Sequence, residues 1–126
     1  MPHISVEVTP RLAEALDFPP LFAAIHRRLA EGGYAKAGDF KSRAHVTAAH
    51  LAGEDPEGEF LVARLITTNP RPTEAQHAMC TIVRDVFEAA ITAAPRPYWW
   101  QCCVLNEPFL RADYFKVDSR GGRTPS

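Results

Sequence analysis

The chain has 126 residues, a net charge of −1 and 46% hydrophobic residues, which suits one globular domain with a modest core. No face or tail is strongly basic, so the charge term that dominates nucleic-acid affinity is missing and nucleic-acid binding is not expected. No apolar run has the length of a membrane span and no signal-peptide pattern opens the chain, so we expect a cytoplasmic protein. The odd number of cysteines predicts reduced thiols: Cys80, Cys102 and Cys103.

The first half of the chain predicts a strand, helical segments and a second strand. Residues 2–8 alternate with a period of two, which is typical of a strand. A short helical segment or turn is predicted up to residue 16. A longer helix should follow, with Asp17 as its N-cap and Gly32-Gly33 as its stop. Residues 40–50 read as the second strand, with Lys41, Arg43 and His45 on one face.

The second half repeats this plan without repeating the sequence. Residues 59–68 are almost continuously apolar, which predicts a strand buried on both faces. Thr73 and Gln76 match a capping box at the start of a strongly amphipathic helix, which Pro95 and Pro97 end. Residues 98–105 read as a fourth strand, followed by a polar tail.

This order predicts an α+β fold of two β-α-β units. Each unit should have parallel strands and a right-handed crossover, giving one four-stranded mixed sheet with both helices on one face. We expect a single domain over residues 1–126, with halves at about 1–52 and 58–106 and a tail at 107–126. Because helices cover one face only, a third strand buried on both faces indicates a homo-oligomer whose sheets pack together.

Pro2 is the first candidate for chemistry. Proline in second place normally allows removal of the initiator methionine, which leaves a free secondary amine at the start of a strand. An α-amino group titrates near neutral pH, and burial beside cations lowers its pKa further, which suits a general base. A Met-Pro start without catalytic meaning is the alternative.

Three cations could accompany Pro2. Lys41 and Arg43 are two residues apart on a strand, so they share a face at about 7 Å. Arg71 lies in the loop before the second long helix, near an N-terminus that favours anions. If the strands are neighbours, these side chains could bind carboxylates and lower the pKa of the amine. A solvated strand face with an arginine beside a helix end is the alternative.

Other kinds of site find little support. The five histidines have no metal-ligand spacing. His3 and His45 could be neighbours across paired strands, where a structural role is favoured. Neither a glycine-rich phosphate loop nor a serine nucleophile elbow is present.

Three segments together resemble the 5-carboxymethyl-2-hydroxymuconate isomerase family of the tautomerase superfamily. They are Met1-Pro2-His3-Ile4, Lys41-Ser42-Arg43-Ala44-His45, and Arg71 before the second long helix. The likeness runs from about residue 1 to residue 92 and includes the spacing between the segments.

The resemblance implies a homotrimer and a cofactor-free ketonisation in aromatic-compound catabolism. The N-terminal proline, Pro2 here, would carry a proton from the 2-hydroxyl group of an unsaturated diacid to a remote carbon. Lys41, Arg43 and Arg71 would bind the carboxylates of this small anionic substrate. The family usually has arginine in place of Lys41, and residues 107–116 also depart from the family pattern. These differences bear on which substrate is bound more than on the type of reaction.

A non-catalytic module is the competing hypothesis. Paired β-α-β units also build ferredoxin-like regulatory domains that bind small molecules, and such a module would not need a free Pro2 amine.

Overall fold

The computed structural model describes residues 2–124. Two short 3-10 turns, Ala37–Asp39 and Arg111–Asp113, accompany the main elements. In chain order these are β1 (His3–Val8), α1 (Pro10–Ala15), α2 (Phe18–Glu31), β2 (Lys41–Val46), β3 (Glu59–Thr67), α3 (Thr73–Ile91), β4 (Trp100–Pro108), β5 (Lys116–Val117) and β6 (Arg123–Thr124).

The four long strands form one mixed sheet in the order β2-β1-β3-β4. β1 runs parallel to β2 and antiparallel to β3, while β3 runs parallel to β4. Each half is therefore a β-α-β unit, and the predicted four-stranded sheet is confirmed. β5 and β6 form a separate antiparallel hairpin that the polar tail did not predict.

The core lies between the sheet and the two long helices. Alternate residues of β1, and residues about one turn apart in α2 and α3, are fully buried in one cluster, which includes Ile4, Val6, Ile25, Leu29, Met79, Val83 and Phe87. Both helices thus cover the same face, as the apolar stripes predicted. We call the other side of the sheet, which carries His3, Arg43, Val62, Arg64 and Ile66, the open face.

β3 differs from the prediction of burial on both faces. Leu61, Ala63 and Leu65 face the helices and are buried, whereas Val62 and Ile66 on the open face are half-buried in the single chain. Because most residues of β3 are apolar, the sequence did not indicate which of them face the helices. The apolar half of the open face is what a partner surface would cover.

The ends of β2 and β4 are set by their neighbours. β2 ends at Val46, because β1 ends at Val8 and the chain turns into α1, so residues 47–50 have no strand beside them. β4 starts later than predicted and continues to Pro108, because β3 offers pairing partners up to Thr67.

The helix ends also differ in detail. α3 begins at Thr73 with Pro72 as N-cap, so the predicted capping box is wrong, and the Gln76 side chain instead donates to the carbonyl of Arg71 at 2.9 Å. Asp17 does stand at the N-cap of α2, without a side-chain cap hydrogen bond. Gly33, at φ +77, ends that helix as predicted.

The buried carboxylate of Glu59 lies at the edge of the sheet where β3 begins. Glu59 is 2% exposed, and its Oε1 accepts hydrogen bonds from the backbone N–H groups of Arg11 (2.9 Å) and Leu12 (3.2 Å) in α1. Its Oε2 lies 3.2 Å from His50 Nε2. Burial alone would raise the pKa of Glu59, but bonds from Thr9, Leu12 and Arg11 hold it below its ordinary value.

Candidate active site

The predicted site residues gather at the opposite edge of the sheet. β1 and β2 begin there and β3 and β4 end there, because His3 pairs with Lys41 on one side and Ile66 on the other, and Thr67 pairs with Pro108. We call this the β1 edge. Pro2 and Lys41 lie on it, and Arg71 follows the end of β3.

Pro2 is buried, and its carbonyl accepts a hydrogen bond from Lys41 N–H at 3.1 Å. This bond extends the β1–β2 ladder past the end of β1. The backbone at Pro2 is therefore fixed against the strand that carries the predicted cations.

Arg43 and His3 form a directed hydrogen bond on the open face. Arg43 Nη1 lies 3.1 Å from His3 Nδ1. Because a guanidinium only donates, Nδ1 must accept and the imidazole proton must sit on Nε2. His3 Nε2 lies 3.3 Å from the hydroxyl of Tyr114, to which it then donates. A chain from Arg43 through His3 to Tyr114 results.

The electrostatics of the β1 edge keep its imidazoles neutral. Burial, then the charges of Arg43 and Lys41, lower the pKa of His3. Burial and the charge of Lys41 lower the pKa of His26, which is stacked on Phe40 and lies 2.6 Å from the Ser42 hydroxyl. Positive charge at this edge is therefore supplied by lysine and arginine.

Arg71 occupies a different position from the other two cations. Its Nε and Nη2 donate to the carbonyl of Tyr34 at 3.3 and 3.1 Å, and its Nη1 donates to the carbonyl of Asn69 at 3.1 Å. It joins the segment after α2 to the loop before α3 and borders a cavity of about 270 Å³ with Gln76 and Arg111. The structure thus places Pro2 beside Lys41 through a backbone bond, places Arg43 beside His3 on the open face, and keeps Arg71 beside the helices.

Sequence reasoning missed the role of His3 and of the C-terminal segment. The sequence allowed His3 and His45 to be neighbours, but His3 pairs with Lys41 and His45 pairs with Glu7. Tyr114 lies 111 positions from His3 in a segment with no periodic pattern, so only the fold reveals their contact. The same segment forms one side of a second, open cavity of about 530 Å³, lined by Gly38, Asp39, Lys41, Lys116, Asp118, Ser119 and Arg120.

Metal binding and thiol chemistry at Cys80 or Cys102 find no support in this geometry. Burial, with the neighbouring Cys103 and Glu88, raises the pKa of the Cys102 thiol to about 11, and burial also raises that of Cys80. Such thiols stay protonated and are poor nucleophiles. Within residues 2–124, no group of three or more His, Cys, Asp or Glu side chains could hold a metal ion. No helix of this part of the chain is both long and apolar enough to span a bilayer.

Comparison with known proteins gives a family match. The family model described as 5-carboxymethyl-2-hydroxymuconate isomerase matches residues 2–96, which include Pro2, Lys41, Arg43 and Arg71. No curated protein sequence is significantly similar to the chain.

Solved structures give similar folds at low identity. A 5-carboxymethyl-2-hydroxymuconate isomerase from Deinococcus radiodurans R1 matches with TM-score 0.80 and 21% identity, covering 94% of this chain and 90% of that one. A 5-carboxymethyl-2-hydroxymuconate delta-isomerase matches with TM-score 0.73 and 14% identity over 94% and 87%. A fused 4-OT wild-type protein, described as a symmetric trimer, matches with TM-score 0.62 and 10% identity over 96% and 94%.

Proposed function

Because the chain belongs to the 5-carboxymethyl-2-hydroxymuconate isomerase family, we propose that it ketonises a small anionic enol with the amine of Pro2 as general base. Family membership makes the chain an isomerase of the tautomerase type and decides against a non-catalytic ferredoxin-like module. The substrate proposed is 5-carboxymethyl-2-hydroxymuconate or a close relative.

The observation that carries this proposal is the position of Pro2 beside the strand that carries two of the cations. Pro2 is buried and bonded to the backbone of Lys41, and Arg43 lies two residues further on the same strand. A free amine held there would lose stability in its charged form through burial and through these positive charges. Its pKa would fall below the 7.7–8.0 of a model α-amino group, which favours the neutral base at pH 7.

The proposed reaction moves one proton. The Pro2 amine takes the proton of the 2-hydroxyl group as the C–O bond becomes a carbonyl, and the electrons shift along the conjugated chain. The resulting prolinium then gives a proton to the remote carbon, which restores the amine and forms the ketone. Lys41 and Arg43 would hold the substrate carboxylates, because their charges face the open side of the β1 edge.

Arg71 could bind a substrate carboxylate only by changing its present hydrogen bonds. Its donors are engaged by the carbonyls of Tyr34 and Asn69. A substrate carboxylate would have to share or replace those bonds, which the adjoining cavity gives it room to do.

The base requires that Met1 be removed, since a Pro2 nitrogen in a peptide bond is an amide. The test therefore begins with the intact mass of the protein as expressed. A protein lacking one methionine should ketonise 5-carboxymethyl-2-hydroxymuconate, and Pro2→Ala should reduce kcat about 10²–10⁴-fold. Undiminished rates in Pro2→Ala, or in protein that retains Met1, would exclude the proline base.

We further propose a homotrimer in the cytoplasm. The half-buried apolar residues of the open face need a partner surface, and a protein of similar fold is described as a symmetric trimer. All three cysteines are free thiols, as a reducing compartment would keep them.

A further inference from the structure

We propose that the C-terminal segment supplies a second anion-binding wall to the site, in which Lys116 and Arg120 face Lys41 and bind one carboxylate of a polycarboxylate substrate. Residues 111–124 lie beyond residues 2–96, the part that the family model matches. The inference rests on the proposed function and extends it to substrate selection.

The location of the cavity is the first support. Lys41 belongs to β2 at the β1 edge, and Lys116 and Arg120 belong to the β5–β6 hairpin, yet all three line the same cavity of about 530 Å³. That volume lies within the range of about 300–1,000 Å³ that is typical of small-molecule sites.

Charge in the cavity favours an anion. Three cations and two carboxylates, Asp39 and Asp118, line it. Asp118 is committed to the hairpin, because it accepts backbone N–H bonds from Arg120 (2.8 Å) and Gly122 (3.1 Å) and lies 3.3 Å from Lys116 Nζ. The side chains of Lys41 and Arg120 have no ion-pair partner within residues 2–124. Lys116 uses one of its three N–H donors on Asp118 and can offer the others to a ligand, so all three cations can contribute.

Tyr114 holds the segment at the β1 edge. Its hydroxyl lies 3.3 Å from His3 Nε2, and the two rings meet edge to face with centroids 6.2 Å apart. His3 follows Pro2 directly and is itself held by Arg43. The cavity wall is thus attached to the residue next to the proposed base, with Tyr114 as a positioning residue.

Substrate chemistry gives this wall a purpose. A 5-carboxymethyl-2-hydroxymuconate molecule carries three carboxylates, and Arg71 is already engaged by backbone carbonyls. Lys41 and Arg43 alone would leave one carboxylate without a cation. A monocarboxylate enol such as 2-hydroxy-2,4-pentadienoate would not need the additional wall.

The test compares these two substrates in Arg120→Gln and Lys116→Gln, with Arg123→Gln as the matched control. Arg123 is an exposed arginine of the same hairpin that does not line the cavity. Each of the two cavity variants should raise KM for the tricarboxylate about tenfold, leave kcat within about twofold, and leave KM for the monocarboxylate unchanged. Tyr114→Phe should likewise raise KM for the tricarboxylate and leave KM for the monocarboxylate unchanged, with an unchanged melting temperature. Equal effects on both substrates, or none on either, would overturn the proposal.

Binding without turnover separates this proposal from the proposed activity. Tricarballylate, an unreactive tricarboxylate, should bind the wild-type chain and the Arg123→Gln control and bind about tenfold more weakly to Arg120→Gln, by calorimetry. This holds even if the wild type proves inactive, in which case the proposed function alone fails. If tricarballylate does not bind, or binds the wild type, Arg123→Gln and Arg120→Gln with equal affinity, the proposed anion-binding wall is wrong.

Discussion

At the scale of single residues, His3 links the two parts of the site. The alternating pattern of residues 2–8 correctly placed it on the face opposite Ile4. The sequence could not show that Arg43 would fix its tautomer or that Tyr114 would contact it, because the first depends on strand register and the second on a segment more than a hundred residues away.

The charges around His3 and His26 lead to a prediction on pKa values. Lys41→Met should raise the pKa of both imidazoles, because Lys41 lowers both, whereas Arg43→Met should raise that of His3 alone. Histidine ring signals followed by NMR over pH 5–8 measure both directly. A His26 pKa that moves in Arg43→Met, or a His3 pKa that moves in neither variant, would contradict this arrangement of charges.

At the scale of elements, the regular segments were predictable and their ends were not. Period-two and helical patterns located β1, α2 and α3, because each element buries one of its own faces. The end of β2 depends on the length of its neighbour β1, and the N-cap of α3 is Pro72 and not the predicted Thr73. Nor did any local pattern reveal that Glu59 of β3 would accept the N–H groups of α1.

Glu59 gives the second prediction, on stability. Glu59→Gln should lower the free energy of unfolding by about 2 kcal/mol at pH 7, because it weakens buried hydrogen bonds to a charged acceptor. The exposed Glu57→Gln, two residues away, is the control and should change it little. Urea unfolding measures both.

The pH dependence of this effect has a definite sign. The folded-state pKa of Glu59 lies below its ordinary value of 4.5. Its contribution is therefore complete above about pH 4.5 and is lost as the pH falls through the lowered folded value. The difference in the free energy of unfolding between wild type and Glu59→Gln should become smaller at acidic pH. A difference that becomes larger there would refute the assignment.

At the scale of the whole molecule, the sheet has one face covered by helices and one open. Composition and strand order led to this architecture, and the excess of apolar residues in β3 indicated a partner. Only the structure separates the buried Leu61 and Leu65 from the half-buried Val62 and Ile66 of the open face. The Arg64–Glu107 pair, with bonds of 2.8 and 2.6 Å, adds a fixed polar feature to this face.

The open face yields a prediction on assembly. Val62→Glu should convert the proposed trimer into smaller species, because a charge would replace an apolar side chain at the centre of the open face. Ala23→Glu, on an exposed position of α2, should leave the assembly unchanged. Light scattering during gel filtration gives the masses. A trimer that survives Val62→Glu would show that subunits pack through another surface.

The antiparallel β1–β3 pairing has a consequence for how the two halves depend on each other. The loop between β2 and β3 is mostly exposed and turns at Gly53, where φ is +60. A chain divided after Gly53 would leave a complete β-α-β unit in each fragment, with matching strand edges on both. Co-expressed fragments 1–53 and 54–126 should therefore reassemble by complementation. The covalent connection would then serve to keep the halves in equal number, and the strand ladder would set their arrangement.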